Sequence, residues 1–234
     1  ASAVGHYAGV NAMLTGNYMY TQGLRNKPMM PTIFEYLRRH QGVKATKTWF
    51  IGNGIGNSLP LLDYSLHPDY GSQFGANFLA PTITFGDDGE KHLKNAKIYH
   101  PEDELDPMYK MKCFLDNVWY SQGKPLPNIG NTEEEKVEIK QFVKDMFEKK
   151  ANGTIAHPPV GDNRDGQTVG YACEVLKRFK PTFSVVYLSS VDGCHSNFTN
   201  YLQSLHAADH AVGHLWDYIQ NNIPEMANNT TLIV

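Results

Sequence analysis

The C-terminal part of the chain alternates between apolar and helical segments, and this alternation constrains the fold more than any other sequence feature. Residues 183–188 are mostly apolar, apolar residues recur at helical spacing over 199–222, and a second mostly apolar segment occupies 231–234. Two strands joined by a long helical crossover pair in parallel. We therefore predict an α/β fold, a three-layer α/β/α sandwich with a mostly parallel sheet, in which 183–188 is a buried strand and 231–234 another strand.

Local signals outline the remaining elements. We predict helices over residues 3–15, 107–120, 133–150 and 167–179, a helix between Pro31 and Gly42, and a strand over 46–51. Thr132 and Glu135 match the capping-box pattern at the start of one of these helices. Residues 52–100 carry Gly, Pro and Asp turn residues and no clear helix or strand.

These elements predict one α/β domain over residues 1–234, with an irregular insertion at about 52–165. The chain starts without methionine and stops inside a predicted strand. We therefore expect it to be part of a longer protein.

Composition excludes several classes of protein. The net charge is −3 and no cluster of Lys and Arg occurs, so we expect no nucleic-acid partner. No apolar run approaches the length of a membrane span, so we expect no membrane partner either. The three cysteines show no Cys-x-x-Cys spacing, which excludes a zinc knuckle of that type.

Asp192 and His195 follow the apolar segment 183–188 directly. In parallel sheets, ligands bind at the carboxyl ends of the strands. Carboxylate and imidazole groups both suit zinc or manganese, so these two residues are candidate metal ligands. The alternative is that Asp192 caps the next helix and His195 faces solvent.

Further histidines stand at positions where they could bind a ligand. His6 lies near the start of the first predicted helix, where the helix dipole favours an oxyanion; alternatively, it only packs. His206, His210 and His214 are spaced four residues apart on the predicted helix 199–222 and share one face. They are either a zinc-binding pair or an exposed stripe.

Five short motifs follow one another in a fairly specific order and spacing. They are Met-Leu-Thr-Gly at 13–16, Gln-Gly-Leu at 22–24, Pro-Thr-Ile-Phe-Glu-Tyr-Leu at 31–37, Asp-His-Ala-Val-Gly-His-Leu at 209–215 and Asn-Thr-Thr-Leu-Ile-Val at 229–234. Together they resemble the alkaline phosphatase superfamily, near its sulfatase and type I phosphodiesterase branches. The resemblance covers about residues 1–50 and 182–234.

The resemblance implies a metal-dependent hydrolase of phosphate or sulfate esters, or a fragment of one, acting on a small-molecule ester. It implies a divalent metal, with zinc first and manganese or calcium as alternatives. Asp192 stands where the family has a metal-binding aspartate. His195 stands near the family's metal-binding histidine, three residues after the aspartate instead of four. Further metal ligands of the family would precede Ala1 or follow Val234.

The resemblance also points to the nucleophile position, which here is His6. The family uses a hydroxyl or formylglycine nucleophile, and the nearest hydroxyl is that of Ser2, four residues earlier. Catalytic candidates are therefore His6 and Ser2, and we expect His6 to lie within reach of Asp192. The alternative is a catalytically degenerate family member that acts as a binding protein. We expect a periplasmic or secreted location.

Overall fold

The computed structural model describes residues 5–17, 27–53, 62–87, 90, 129–160, 163–195 and 197–234. Within these residues the α-helices are α1 (His6–Thr15), α2 (Ile33–Gln41), α3 (Pro81–Thr84), α4 (Glu133–Ala151), α5 (Arg164–Phe179), α6 (Phe198–Asn222) and α7 (Pro224–Ala227). The strands are β1 (Thr48–Gly52), β2 (Asn77–Leu79) and β3 (Phe183–Tyr187). Short 3-10 helices cover Ala45–Lys47, Ser72–Phe74 and Ser190–His195.

The three strands form one parallel sheet in the order β2-β1-β3. β1 lies in the centre, and all five of its residues are buried. Its register places Thr48 opposite Phe183 and Gly52 opposite Tyr187. The strands predicted at 46–51 and 183–188 are therefore confirmed, as are the parallel sheet and the α/β class.

The central strand sends its side chains into two separate hydrophobic clusters, because successive residues of a strand point to opposite faces. Trp49 and Ile51 belong to a cluster that contains residues of α4, α5 and α6. Phe50 belongs to a second cluster, together with Phe34 of α2 and Val10 of α1. Both faces of β1 are therefore covered by helices.

Several helix boundaries follow from their end residues. Thr32 and Thr132 each form a complete capping box with the glutamate three residues later, at the starts of α2 and α4. Gly16 and Gly42 end α1 and α2 in the left-handed conformation, with φ of 68° and 63°. The helices predicted within 3–15, 31–42, 133–150, 167–179 and 199–222 are confirmed. The helix predicted over 107–120 lies outside the described residues.

Two predictions about strands are wrong in part. β3 forms as predicted, but all five of its residues are half-buried, because within the described chain only β1 pairs with it. Residues 231–234 form no strand, and Ile233 and Val234 are almost fully exposed. Their apolar, β-branched sequence favours a strand, but a strand also needs a neighbour, and the described residues supply none there.

β2 lies in the segment to which the sequence analysis assigned no element. It is three residues long, and Asn77 begins it with a buried side chain. The Asn77 amide donates to the carbonyl oxygen of Ala45 and to Asn131 Oδ1, each at 3.0 Å. Separately, none of the helices in the described ranges combines the length and apolar character that crossing a membrane requires.

Candidate metal centre

The carboxyl edge of the sheet is organised around the first turns of α5. The buried Asp165 carboxylate accepts hydrogen bonds from the backbone N–H of Ser189 at 2.8 Å and of Ser190 at 3.0 Å. Its two oxygens each take one of these bonds. This bidentate contact holds the loop that leaves β3 and leads into the 3-10 helix Ser190–His195.

The central strand is tied to the same helix. Asn53 follows β1 directly, and its side-chain amide donates to Thr168 Oγ1 of α5 at 2.6 Å. The Asn53 side-chain oxygen Oδ1 accepts from the backbone N–H of Thr82, at the start of α3, at 3.0 Å. The ends of β1 and β3 therefore share α5 as a common support.

His6, near the N-terminus of the chain, also lies at this edge of the sheet. It is the first residue of α1, and Gly5 before it has a φ of 99°, which favours glycine. Val10 and Leu14 of the same helix are buried in the cluster that contains Phe50. Packing of α1 against the sheet thus fixes the helix end that carries His6.

The three candidate ligands converge on one carboxylate oxygen. His6 Nε2 lies 2.8 Å from Asp192 Oδ1, and His195 Nε2 lies 3.0 Å from the same oxygen. The two imidazole rings are 6.2 Å apart and nearly perpendicular. Within the described ranges, this is the one group of three or more His, Cys, Asp or Glu residues whose ligand atoms all lie within 4.8 Å of one another.

The donor set fits a zinc ion. A tetrahedral zinc with bonds of about 2.0 Å places its ligand atoms about 3.3 Å apart, so the two N···O distances need to lengthen by only a few tenths of an ångström. The same geometry places two imidazole centroids about 5.2 Å apart, so the rings need to approach by about 1 Å. His6, Asp192 and His195 are all exposed, so small side-chain rotations provide this.

Three protein ligands leave a further coordination position open, as in catalytic zinc sites rather than closed structural ones. The exposed fraction of the side chains, 53% for His6, 51% for Asp192 and 74% for His195, gives that position access to solvent. Two imidazoles favour zinc over calcium, which prefers oxygen ligands. A water molecule or a substrate oxygen could therefore reach an ion held there.

Tyr187 ends β3 close to these acidic groups. Burial, together with the negative charges of Asp192 and Asp165, raises the pKa of its phenol. The tyrosine therefore stays protonated at neutral pH and is a hydrogen-bond donor rather than a nucleophile. Cys173 of α5 is likewise inert, because burial, with Glu174 beside it, raises the pKa of its thiol to about 12.

Among the described residues, the other candidates are not part of the cluster formed by His6, Asp192 and His195. Ser2 lies outside the described residues. His206 and His210 form a separate close pair on α6, with ring centroids 4.4 Å apart. His214 Nε2 lies 2.9 Å from the carbonyl oxygen of Ala156, so the three regularly spaced histidines do not act as one set.

The sequence analysis did not single out Asp165. The residue stands in the first turn of α5, after the Asn163 cap, and from the sequence alone it resembles an ordinary acidic residue that complements the helix dipole. Its role depends on the loop 189–190, which is distant in sequence. No local signal distinguishes such a residue.

Comparisons with known proteins identify no relative of this chain. No protein-family model matches this chain, no curated protein matches it, and no solved structure matches it.

Proposed function

We propose that this chain is a divalent-metal-dependent hydrolase of phosphate or sulfate esters, related to the alkaline phosphatase superfamily and built as a three-layer α/β/α sandwich. One observation carries the proposal. The two segments that resemble the family, 1–50 and 182–234, are far apart in sequence, and they bring potential ligand atoms of His6, Asp192 and His195 within 4.8 Å of one another. We further propose a small-molecule ester as the substrate, no nucleic-acid or membrane partner, and a periplasmic or secreted location.

In this proposal His6 Nε2, His195 Nε2 and an Asp192 oxygen hold the ion. When bound, the ion would supply Lewis-acid polarisation of the ester's phosphoryl or sulfuryl oxygen. Asp192 supplies a negative charge between the two imidazoles, which orients both rings toward a common point. Asp165 positions the loop that carries Asp192 and His195, because its carboxylate accepts from the backbone N–H groups of that loop.

A second candidate function is binding of a phosphate or sulfate ester without turnover. The observation that favours it is the identity of His6, which stands where the family places a hydroxyl or formylglycine nucleophile. An imidazole whose Nε2 binds an ion cannot attack through that same atom. A bound ester would then remain intact.

One experiment separates these candidates. Zinc and manganese binding are measured by calorimetry and by metal analysis for the wild-type protein, Asp192→Asn and the matched control Asp217→Asn, whose residue is exposed on α6. The same proteins are assayed on p-nitrophenyl phosphate, bis-p-nitrophenyl phosphate and p-nitrophenyl sulfate. We expect Asp192→Asn to weaken binding at least tenfold and the control to bind like the wild type.

The outcomes divide clearly. Ester turnover that disappears with Asp192→Asn supports the hydrolase. Metal binding that depends on Asp192, with no turnover of any ester, supports the binding protein. Equal metal binding by wild type and Asp192→Asn overturns the metal centre itself.

A further inference from the structure

We propose a second metal site, formed by His206 and His210 on α6, that takes copper(II) or nickel(II). The inference stands on α6 alone and does not depend on the proposed hydrolase function. The two histidines are four residues apart on a helix of 25 residues, so they lie on one face one turn apart. Their ring centroids are 4.4 Å apart and the ring planes are inclined by 34°.

The distance between the rings, as it stands, matches one coordination geometry more closely than another. A metal–nitrogen bond of about 2.0–2.1 Å places the ion about 3.2 Å from the centroid of each imidazole. Two centroids 4.4 Å apart then subtend an angle of roughly 90° at the ion. This is the angle between neighbouring ligands in square-planar or tetragonal sites, which are typical of copper(II) and nickel(II). A tetrahedral zinc ion places the two centroids about 5.2 Å apart, so zinc would require the rings to separate by about 0.8 Å, whereas copper(II) and nickel(II) would not.

The pair lies next to the anchored part of α6. Ala211, Leu215 and Ile219, which follow the pair along the helix, are buried in the hydrophobic core. The helix backbone then holds the two histidines one turn apart. Preorganised ligands lose less conformational entropy when they bind an ion.

The surroundings leave room for the remaining ligands. His206 and His210 line a surface concavity of about 470 Å³, bounded on the other side by Pro159 and Val160. Gln203, one turn before His206, also lines it and offers an amide oxygen. Both histidines are exposed, so water or an external ligand can complete the coordination.

His214 provides the matched control. It lies one further turn along α6, at the same spacing from His210 as His206, but its Nε2 lies 2.9 Å from the carbonyl oxygen of Ala156. That contact occupies Nε2 of His214, so a pair formed by His210 and His214 would have only Nδ1 of His214 to offer. The ring of His210 lies against the ring of His206, and we therefore assign the ion to this first pair.

The test uses the whole chain without a histidine tag, in an Asp192→Asn background that disables the first metal centre. Copper(II) and nickel(II) are titrated by calorimetry, and the copper spectrum is recorded by electron paramagnetic resonance. The proteins compared are this parent, His206→Gln, His210→Gln and His214→Gln. Because the substituted histidines of the pair are exposed, the variants should fold, and circular dichroism checks this.

We expect the parent to bind one copper(II) with two nitrogen ligands, and His206→Gln and His210→Gln to bind it at least tenfold more weakly. His214→Gln should match the parent, and zinc should bind more weakly than copper(II). Copper binding that survives both His206→Gln and His210→Gln overturns the proposal. Loss with His214→Gln but not with His206→Gln also overturns it, because the ion would then lie between the wrong pair.

Discussion

Asp165 offers the sharpest test of how the loop that carries Asp192 is held. We consider Asp165→Ala, which removes a buried carboxylate that accepts two backbone N–H groups, at 2.8 Å and 3.0 Å. Each hydrogen bond to a charged group contributes about 1.5–3 kcal/mol to stability, and the substitution leaves both donors without this acceptor. We therefore expect the free energy of unfolding to fall by about 3–5 kcal/mol.

Asp165→Asn tests the effect of the negative charge while keeping the size and shape of the side chain. The asparagine keeps one oxygen acceptor but turns an NH₂ group toward the other backbone N–H. We expect it to lower the free energy of unfolding by about 1.5–3 kcal/mol, between the values for Asp165→Ala and the wild type. Urea unfolding followed by tryptophan fluorescence measures both, since Trp49 is fully buried.

The same variants report on the proposed metal centre. Asp165 contacts the loop that leads to the ligands Asp192 and His195. Losing such a supporting contact typically weakens metal affinity about 10–100-fold. Asp217→Asn, an exposed change on α6, should alter stability by less than about 0.5 kcal/mol. If Asp165→Ala stays within about 1 kcal/mol of the wild type, the two hydrogen bonds do not hold this loop as argued.

Two further predictions concern stability. Burial alone would raise the pKa of Glu135. The hydrogen bonds that its carboxylate accepts, including two from Thr46, together outweigh burial and hold the pKa below its usual value of 4.5. The Glu135 carboxylate therefore stabilises the folded state above about pH 4.5, and this stabilisation is lost as the pH falls through the lowered pKa of the folded state. In urea melts, the difference in free energy of unfolding between wild type and Glu135→Gln should narrow from pH 6 to pH 3. Gly130→Ala should cost about 2 kcal/mol or more in thermal melts, because φ is 72° and an added Cβ would overlap the Gln73 carbonyl oxygen, whereas the open helical control Gly213→Ala should stabilise the chain slightly.

Local sequence signals predicted the parts of the fold whose causes are local. Thr132 and Glu135 cap α4 through contacts within four residues, and Gly16 and Gly42 end helices by their own backbone freedom. These features need no tertiary information. The helices within the described residues were therefore largely predictable.

The errors arose where distant residues decide the structure. β2 is too short to show a periodicity, and Asn77 is held by Ala45 and Asn131. The burial of β3 depends on which strands flank it, and its own apolar sequence does not reveal those neighbours. Residues 231–234 have strand propensity but lack a neighbour among the described residues.

The candidate site was predictable only in its parts. Asp192 and His195 could be found from their position after a strand, because parallel sheets bind ligands there. His6 is almost a whole chain length away, and only the family resemblance suggested that it lies near them. The structure places His6 Nε2 2.8 Å from Asp192 Oδ1. Asp165 has no such signal, since its partners are backbone groups.

The central position of β1 has a consequence during synthesis. Thr48 pairs with Phe183, so one neighbour of the central strand leaves the ribosome about 135 residues after it. At about 5–20 residues per second, β1 waits on the order of 7–27 seconds for that partner. For that time Trp49, Phe50 and Ile51 have an open edge and only part of their final cover. The nascent chain therefore exposes an unpaired apolar strand edge, where it can pair with another chain, until β3 emerges.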